Sequence, residues 1–284
     1  MERNVLGETD VITLKNKKGF CRFTVLGSTV ISFIPAGGQE VLWLGSKNSF
    51  TLDKAIRGGI PICWPRFGEE ELNGSFPKHG FARNEVWTVN SIDENDERSV
   101  VTLVMHQSSR FKAMAEFPAV LHLKITVSDI LEMELETLNI GDGILNYSEA
   151  FHTYFNVGAI EETEISGLKG GRYIDRLTGG DELLQEENMV ISQPTDRIFY
   201  NNESSVRITD KANNRVIVME KSGSLSTVVW NPYKQAVADE VLDTDYNNFI
   251  CVEAANVNKN NIKLAPGEKH KLTLRLSVQP LTEA

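Results

Sequence analysis

No stretch of this chain approaches the ~20 uninterrupted apolar residues that cross a bilayer as a helix. The opening residues, MERNVLGETD, lack the apolar core of a secretory signal, so a cytoplasmic protein is expected. Cysteine is scarce. Cys21, Cys63 and Cys251 lie far apart in apolar surroundings and form no CxxC, which argues against a disulfide scaffold or a zinc site and for buried free thiols in a reducing compartment. Cations are outnumbered: 29 Lys and Arg against 39 Asp and Glu leave a formal charge of −10. Partners that need basic surface, nucleic acid and anionic membrane, are therefore not expected. An anionic small molecule would have to be held by a local cluster of cations against the overall field. There is no P-loop, GxGxxG, GxSxG or HExxH, and the five histidines show no ligand-like spacing. Nucleotide-dependent, dinucleotide-dependent and zinc-dependent chemistry fall away. Acid–base work without cofactor or metal, or simple binding, is left.

Helical pattern is also thin, limited to a turn or two in 111–117 and 238–246. Alternation with period two dominates instead. LEMELE (131–136) alternates apolar with acidic residues, and KLTLRLSV (271–278) sets Leu272, Leu274, Leu276 and Val278 against polar neighbours. Further short β-branched runs are separated by turn clusters such as AGG (36–38), DENDE (93–97), GDG (141–143) and ANN (212–214). This spacing predicts an all-β protein, a large antiparallel β-sandwich. No repeat or linker marks a boundary, so residues 1–284 are expected to form a single domain.

Four places could carry chemistry. Glu253 lies in FICVEAA, otherwise uncharged and readable as a strand buried on both faces. A carboxylate there must be paired, protonated or aimed at a polar cleft, so it is either a structural ion pair or an acid–base group. His152 in AFHTYF would share a strand face with Ala150 and Tyr154, opposite Phe151, Thr153 and Phe155. It is either a hydrogen-bonded core residue or a proton donor. The loop-rich stretch 57–83 carries Arg57, Arg66, Lys78, His79 and Arg83, with Gly58, Gly59 and Gly80 suited to close approach of a ligand to the backbone. Its arginines either brace the loop or grip an anion. Asp196 in QPTDRIFY is a turn residue or a partner for a sugar hydroxyl.

In order, RGGIPICWP, PKHGFAR, EAFHTYFNV, PTDRIFYN, WNPY and FICVEAAN resemble the motifs of the hexose-6-phosphate mutarotases, within the aldose 1-epimerase (galactose-mutarotase-like) group. They span residues 57–256. The resemblance implies a large β-sandwich with a sugar cleft, in agreement with the period-two reading. It further implies an isomerase that opens and recloses the hemiacetal of hexose 6-phosphates, with His152 as general acid and Glu253 as general base. Arg57 and Arg83 are then expected at the substrate phosphate and Asp196 at a hydroxyl, with His79 beside them. Lys78 stands where the family commonly has Gln and adds a cation. No cofactor is implied, and a monomer is expected. Two other readings suit the same residue types: a glycoside hydrolase working with Glu253 and Asp196, and a silent sugar-phosphate-binding domain.

Overall fold

The computed structural model describes residues 2–68, 77–106, 116–235 and 244–282. Among them there is no α-helix; strands are joined by turns and short 3-10 segments. The turn anticipated at 111–117 lies almost wholly outside the described residues. So does the first part of 238–246, whose end enters the 3-10 turn Asp245–Asn248.

The period-two pattern translates directly into layers. Leu131–Asn139 buries every other residue, and its partner Ala119–Val127 does the same in register. The acidic half of LEMELE faces out: Glu134 takes Lys124 and Lys271, Glu136 takes Lys269, and Glu132 takes Arg275. These exposed pairs add little stability each but keep the outer face wet. Both strands belong to a nine-stranded sheet that also holds Arg215–Ser222 and Lys269–Pro280.

Against it stands an eight-stranded sheet. Its central run is Thr195–Tyr200, Ser226–Asn231, Phe249–Asn256 and Glu149–Phe151, with Ile62–Cys63 at the edge. One apolar cluster joins Leu121, Leu123 and Leu135 of the first sheet to Phe151, Val229 and Val252 of the second. A four-stranded sheet, running from Glu2–Leu6 to Val30–Pro35, contributes Leu14 and Phe23 to the same core. Among the described residues the strands named here pair antiparallel, and a single parallel bridge joins Trp64 to Gly80.

Charge also enters this interior. Asp210 and Arg215 close the hairpin between Val206–Asp210 and Arg215–Ser222 with a buried ion pair of 3.0 Å. Arg215 further donates to the carbonyls of Glu40 and Asn156, while Asp210 accepts from Gly158 N and Asn213. Glu149 is fully buried and meets His270 Nε2 at 3.1 Å and Asn256 Nδ2 at 2.9 Å. The three cysteines are free and buried.

Candidate active site

In the eight-stranded sheet one face belongs to the core and the other carries the site. Along Phe249–Asn256, Ile250, Val252 and Ala254 enter the main cluster, while Phe249, Cys251, Glu253 and Ala255 face the opposite side. Cross-strand register then builds a surface. Asp196 lies opposite Trp230, Trp230 opposite Cys251, and Cys251 opposite Tyr154; Val228 lies opposite Glu253. Glu149–Phe151 and Tyr154–Asn156 both pair with that strand, and His152 falls at the break between them. Its ring stacks on Tyr154 at 4.8 Å, while Phe151 and Phe155 go into the core, as the alternation predicts.

The result is a small, partly open pocket of about 110 Å³. Glu253 and His152 form its floor, Phe67, Tyr154 and Trp230 its walls, and Arg57, Lys78, His79, Asp196 and Arg176 its polar rim. Six of the residues singled out in the sequence thus meet here: His152, Glu253, Arg57, Lys78, His79 and Asp196. Arg83 does not line the pocket. It is buried one layer deeper, donates to the Lys78 carbonyl at 2.6 Å, and acts on the site through its charge. Arg66 leaves the group altogether and lies 4.8 Å over the Phe117 ring.

The glycines of the loop have a different purpose from the one expected. A Cβ on Gly59 would stand 2.1 Å from the Val30 carbonyl, and one on Gly80 2.1 Å from the Trp64 carbonyl. Backbone thus crosses backbone at both points, and the positive φ angles of 65° and 76° suit glycine. They let the chain fold tightly beneath the pocket instead of letting a ligand approach. His79 adopts a positive φ of 63° without being glycine. Two bonds hold it: its N–H donates to the Gly68 carbonyl, and its Nδ1 accepts from Gly68 N. Nδ1 being an acceptor, the ring proton sits on Nε2.

At the floor, His152 Nε2 stands 3.5 Å from Glu253 Oε1. Both residues are nearly sealed, and His152 Nδ1 and Glu253 Oε2 have no hydrogen-bond partner among the described residues. Burial, then the nearby charge of Asp196, pushes the Glu253 carboxyl well above its usual range. Burial, then Arg83 and Arg57, holds the His152 imidazole down to about 3. Desolvation thus disfavours charge on either member and favours one proton shared by the pair, whose titrations belong to both residues together. A carboxyl and an imidazole sharing one proton across 3.5 Å can give and take a proton at two neighbouring atoms of a bound molecule.

At the rim, Asp196 Oδ2 lies 3.5 Å from Arg176 Nη1, and Asp196 Oδ1 is buried without a partner among the described residues. Arg176 is the rim residue that sequence reading missed. It stands just beyond the strand Arg172–Asp175, in a turn with no motif around it. His152, Cys251 and Glu253 bring nitrogen, sulfur and oxygen donors within 4.8 Å of one another, a spacing a metal could draw together. Cys251, however, is packed among Trp43, Tyr154 and Phe249, and burial followed by the Glu253 charge raises its thiol well above the usual range. A thiolate ligand is therefore disfavoured at this point.

The model of one protein family, described as aldose 1-epimerase, matches residues 10–277. A protein of Escherichia coli (strain K12) named "Putative glucose-6-phosphate 1-epimerase" is 35% identical over 258 residues, covering 90% of this chain and 86% of that one. The crystal structure of a "putative mutarotase" from Salmonella typhimurium superposes with a TM-score of 0.90 at 31% identity, covering 98% of this chain and 93% of that one. A galactose mutarotase-like protein from Clostridium acetobutylicum, 16% identical, shares the fold with a TM-score of 0.73 over 98% of each chain.

Proposed function

The chain belongs to the aldose 1-epimerase family, and from that premise we propose that it interconverts the α and β anomers of hexose 6-phosphates, with glucose 6-phosphate as the reference substrate. The observation that carries the mechanism is the His152–Glu253 pair on the floor of a pocket rimmed by cations.

The chemistry follows from the residue types. Glu253 takes the proton from the anomeric O1–H, and His152 gives a proton to the ring oxygen as the C1–O5 bond breaks. The open aldehyde turns about C1–C2. Closure on the other face runs both transfers backward, so each residue ends as it began. The productive state, carboxylate plus imidazolium, differs from carboxylic acid plus neutral imidazole only by the seat of the shared proton. Substrate hydroxyls replace the water that burial has removed. Acid–base catalysis contributes ~10²–10⁴-fold for each such group.

Arg57 and Lys78 are assigned to the phosphate at the rim, Arg83 supports them from beneath, and His79 offers Nε2–H to a sugar oxygen. Asp196, also at the rim, accepts from a hydroxyl. A glycosidase using Asp196 and Glu253 is not favoured, since the relatives are named as epimerases. Anomer-exchange NMR on glucose 6-phosphate, with and without protein, tests the proposal. Exchange well above the spontaneous rate is expected, and a rate equal to that of buffer would overturn it.

A further inference from the structure

The pocket contains two carboxyl groups, and each faces a nitrogen-bearing side chain at the same distance. Glu253 faces His152 at 3.5 Å, and Asp196 faces Arg176 at 3.5 Å. The partners differ in kind. An imidazole can lose its proton; a guanidinium does not.

Neighbouring carboxylates in a dry pocket repel each other, and one of them tends to take up a proton. Burial, then opposition between Arg176 and the neighbouring Asp175, leaves the Asp196 carboxyl raised. An ionised Asp196 accepts from a sugar hydroxyl more strongly than a protonated one, which would also have to place its own proton. Arg176 is placed to ensure this. Its backbone N–H donates to the Asp196 carbonyl at 2.8 Å, so the two residues are tied at the main chain as well as at the side chains. Its guanidinium lies 5.9 Å over the Phe67 ring, and a Cβ on Gly68 would come within 3.2 Å of Nη2, so a glycine there leaves the guanidinium its room. The side chain makes no hydrogen bond to a described residue and is held by charge and stacking alone.

We propose that Arg176 is a positioning residue that keeps Asp196 ionised and aimed at the substrate, so that the pocket divides into a fixed carboxylate for binding and a mobile one for proton transfer. This rests on the epimerase reading above, and it assigns Arg176 to the sugar end of the substrate, not to its phosphate.

The test compares wild type with Arg176→Gln, Arg176→Lys, Asp196→Asn and the Arg176→Gln/Asp196→Asn double variant. Anomer exchange is measured on glucose 6-phosphate and on glucose. Arg176→Gln should lower kcat/KM roughly ten- to hundredfold on both sugars, because both carry the hydroxyl that Asp196 meets. Arg176→Lys, which retains the charge, should recover most of that. In the Asp196→Asn background, losing Arg176 should cost less than about threefold, since residues acting as a unit are not additive. A loss confined to glucose 6-phosphate would make Arg176 a phosphate contact and overturn the proposal. So would full additivity in the double variant. Failure of the epimerase reading shows up separately, as a wild type that accelerates neither sugar, and it would end this proposal too.

Discussion

Two buried pairs of titratable side chains, both in the same sandwich, are built to opposite ends. Around Asp210 and Arg215 every charge has company: two backbone carbonyls, an amide N–H and an asparagine complete the 3.0 Å pair. Around His152 and Glu253 the separation is 3.5 Å, and two polar atoms are buried without partners among the described residues. The first arrangement leaves nothing for a ligand to do. The second leaves open the donor and acceptor positions that a sugar can fill. Here the saturated pair is the brace, and the incomplete pair lies on the floor of the pocket.

The sharpest way to break this contrast is Glu253→Gln. Anomer exchange should fall by ~10²–10⁴-fold, while stability to urea should hold or rise, because a poorly bonded buried titratable group is replaced by a neutral amide of the same shape. A variant that unfolds early and retains activity would reverse the assignment, and His152→Asn is expected to behave in the same way. The opposite pattern is expected for Arg215→Met. It strands Asp210 in the core and should cost about 3–5 kcal/mol in urea unfolding. The exchange rate per folded molecule should stay near wild type.

A smaller effect sharpens the site side of the contrast. Arg57→Ala should raise KM for glucose 6-phosphate roughly ten- to hundredfold, the loss of one charge-assisted bond, and leave glucose much less affected. Lys78→Ala, at an exposed position, should do less. Equal losses on both sugars would mean that Arg57 braces its loop.

The smallest effect concerns a third pair. Burial works against a charged His270, but Glu149 and the Gly223 carbonyl outweigh it and hold the imidazolium above its ordinary range. A raised native value means a contribution that is complete below the unfolded value of about 6.5 and disappears as pH climbs through the native one. His270→Gln should therefore be less stable than wild type in mildly acidic buffer, the difference closing at alkaline pH. A difference that widens with pH would contradict the pairing.

How much of this could be read from the chain depends on the range of the interaction. Strand alternation is a neighbour-to-neighbour property, so LEMELE and KLTLRLSV revealed their layers. Glu253 was visible because a charge in FICVEAA has no local remedy, and His152 because its aromatic neighbours fixed its face. The loop cations were harder to judge. Arg57, Arg66, Lys78 and Arg83 are close in sequence, yet two line the pocket, one lies beneath it and one stacks on Phe117. Linear crowding carries no direction. Arg176 was out of reach, because its meaning comes from Asp196 on the adjoining strand, a partner chosen by sheet register. The glycines were noticed for the wrong reason: what comes close to them is the protein's own backbone.

The strand Phe249–Asn256 separates its neighbours into those facing hydrocarbon and those facing the pocket, residue by residue. That alternation has a consequence for how the chain finds its structure. A slip of one position would carry Glu253 through the sheet into the packed interior and turn Val252 or Ala254 out toward the pocket. Mispaired forms would thus bury an unmatched carboxylate among Phe151, Val229 and their neighbours. The residue proposed to move protons would thereby also disfavour strand alignments that bring it out on the wrong side of the sheet.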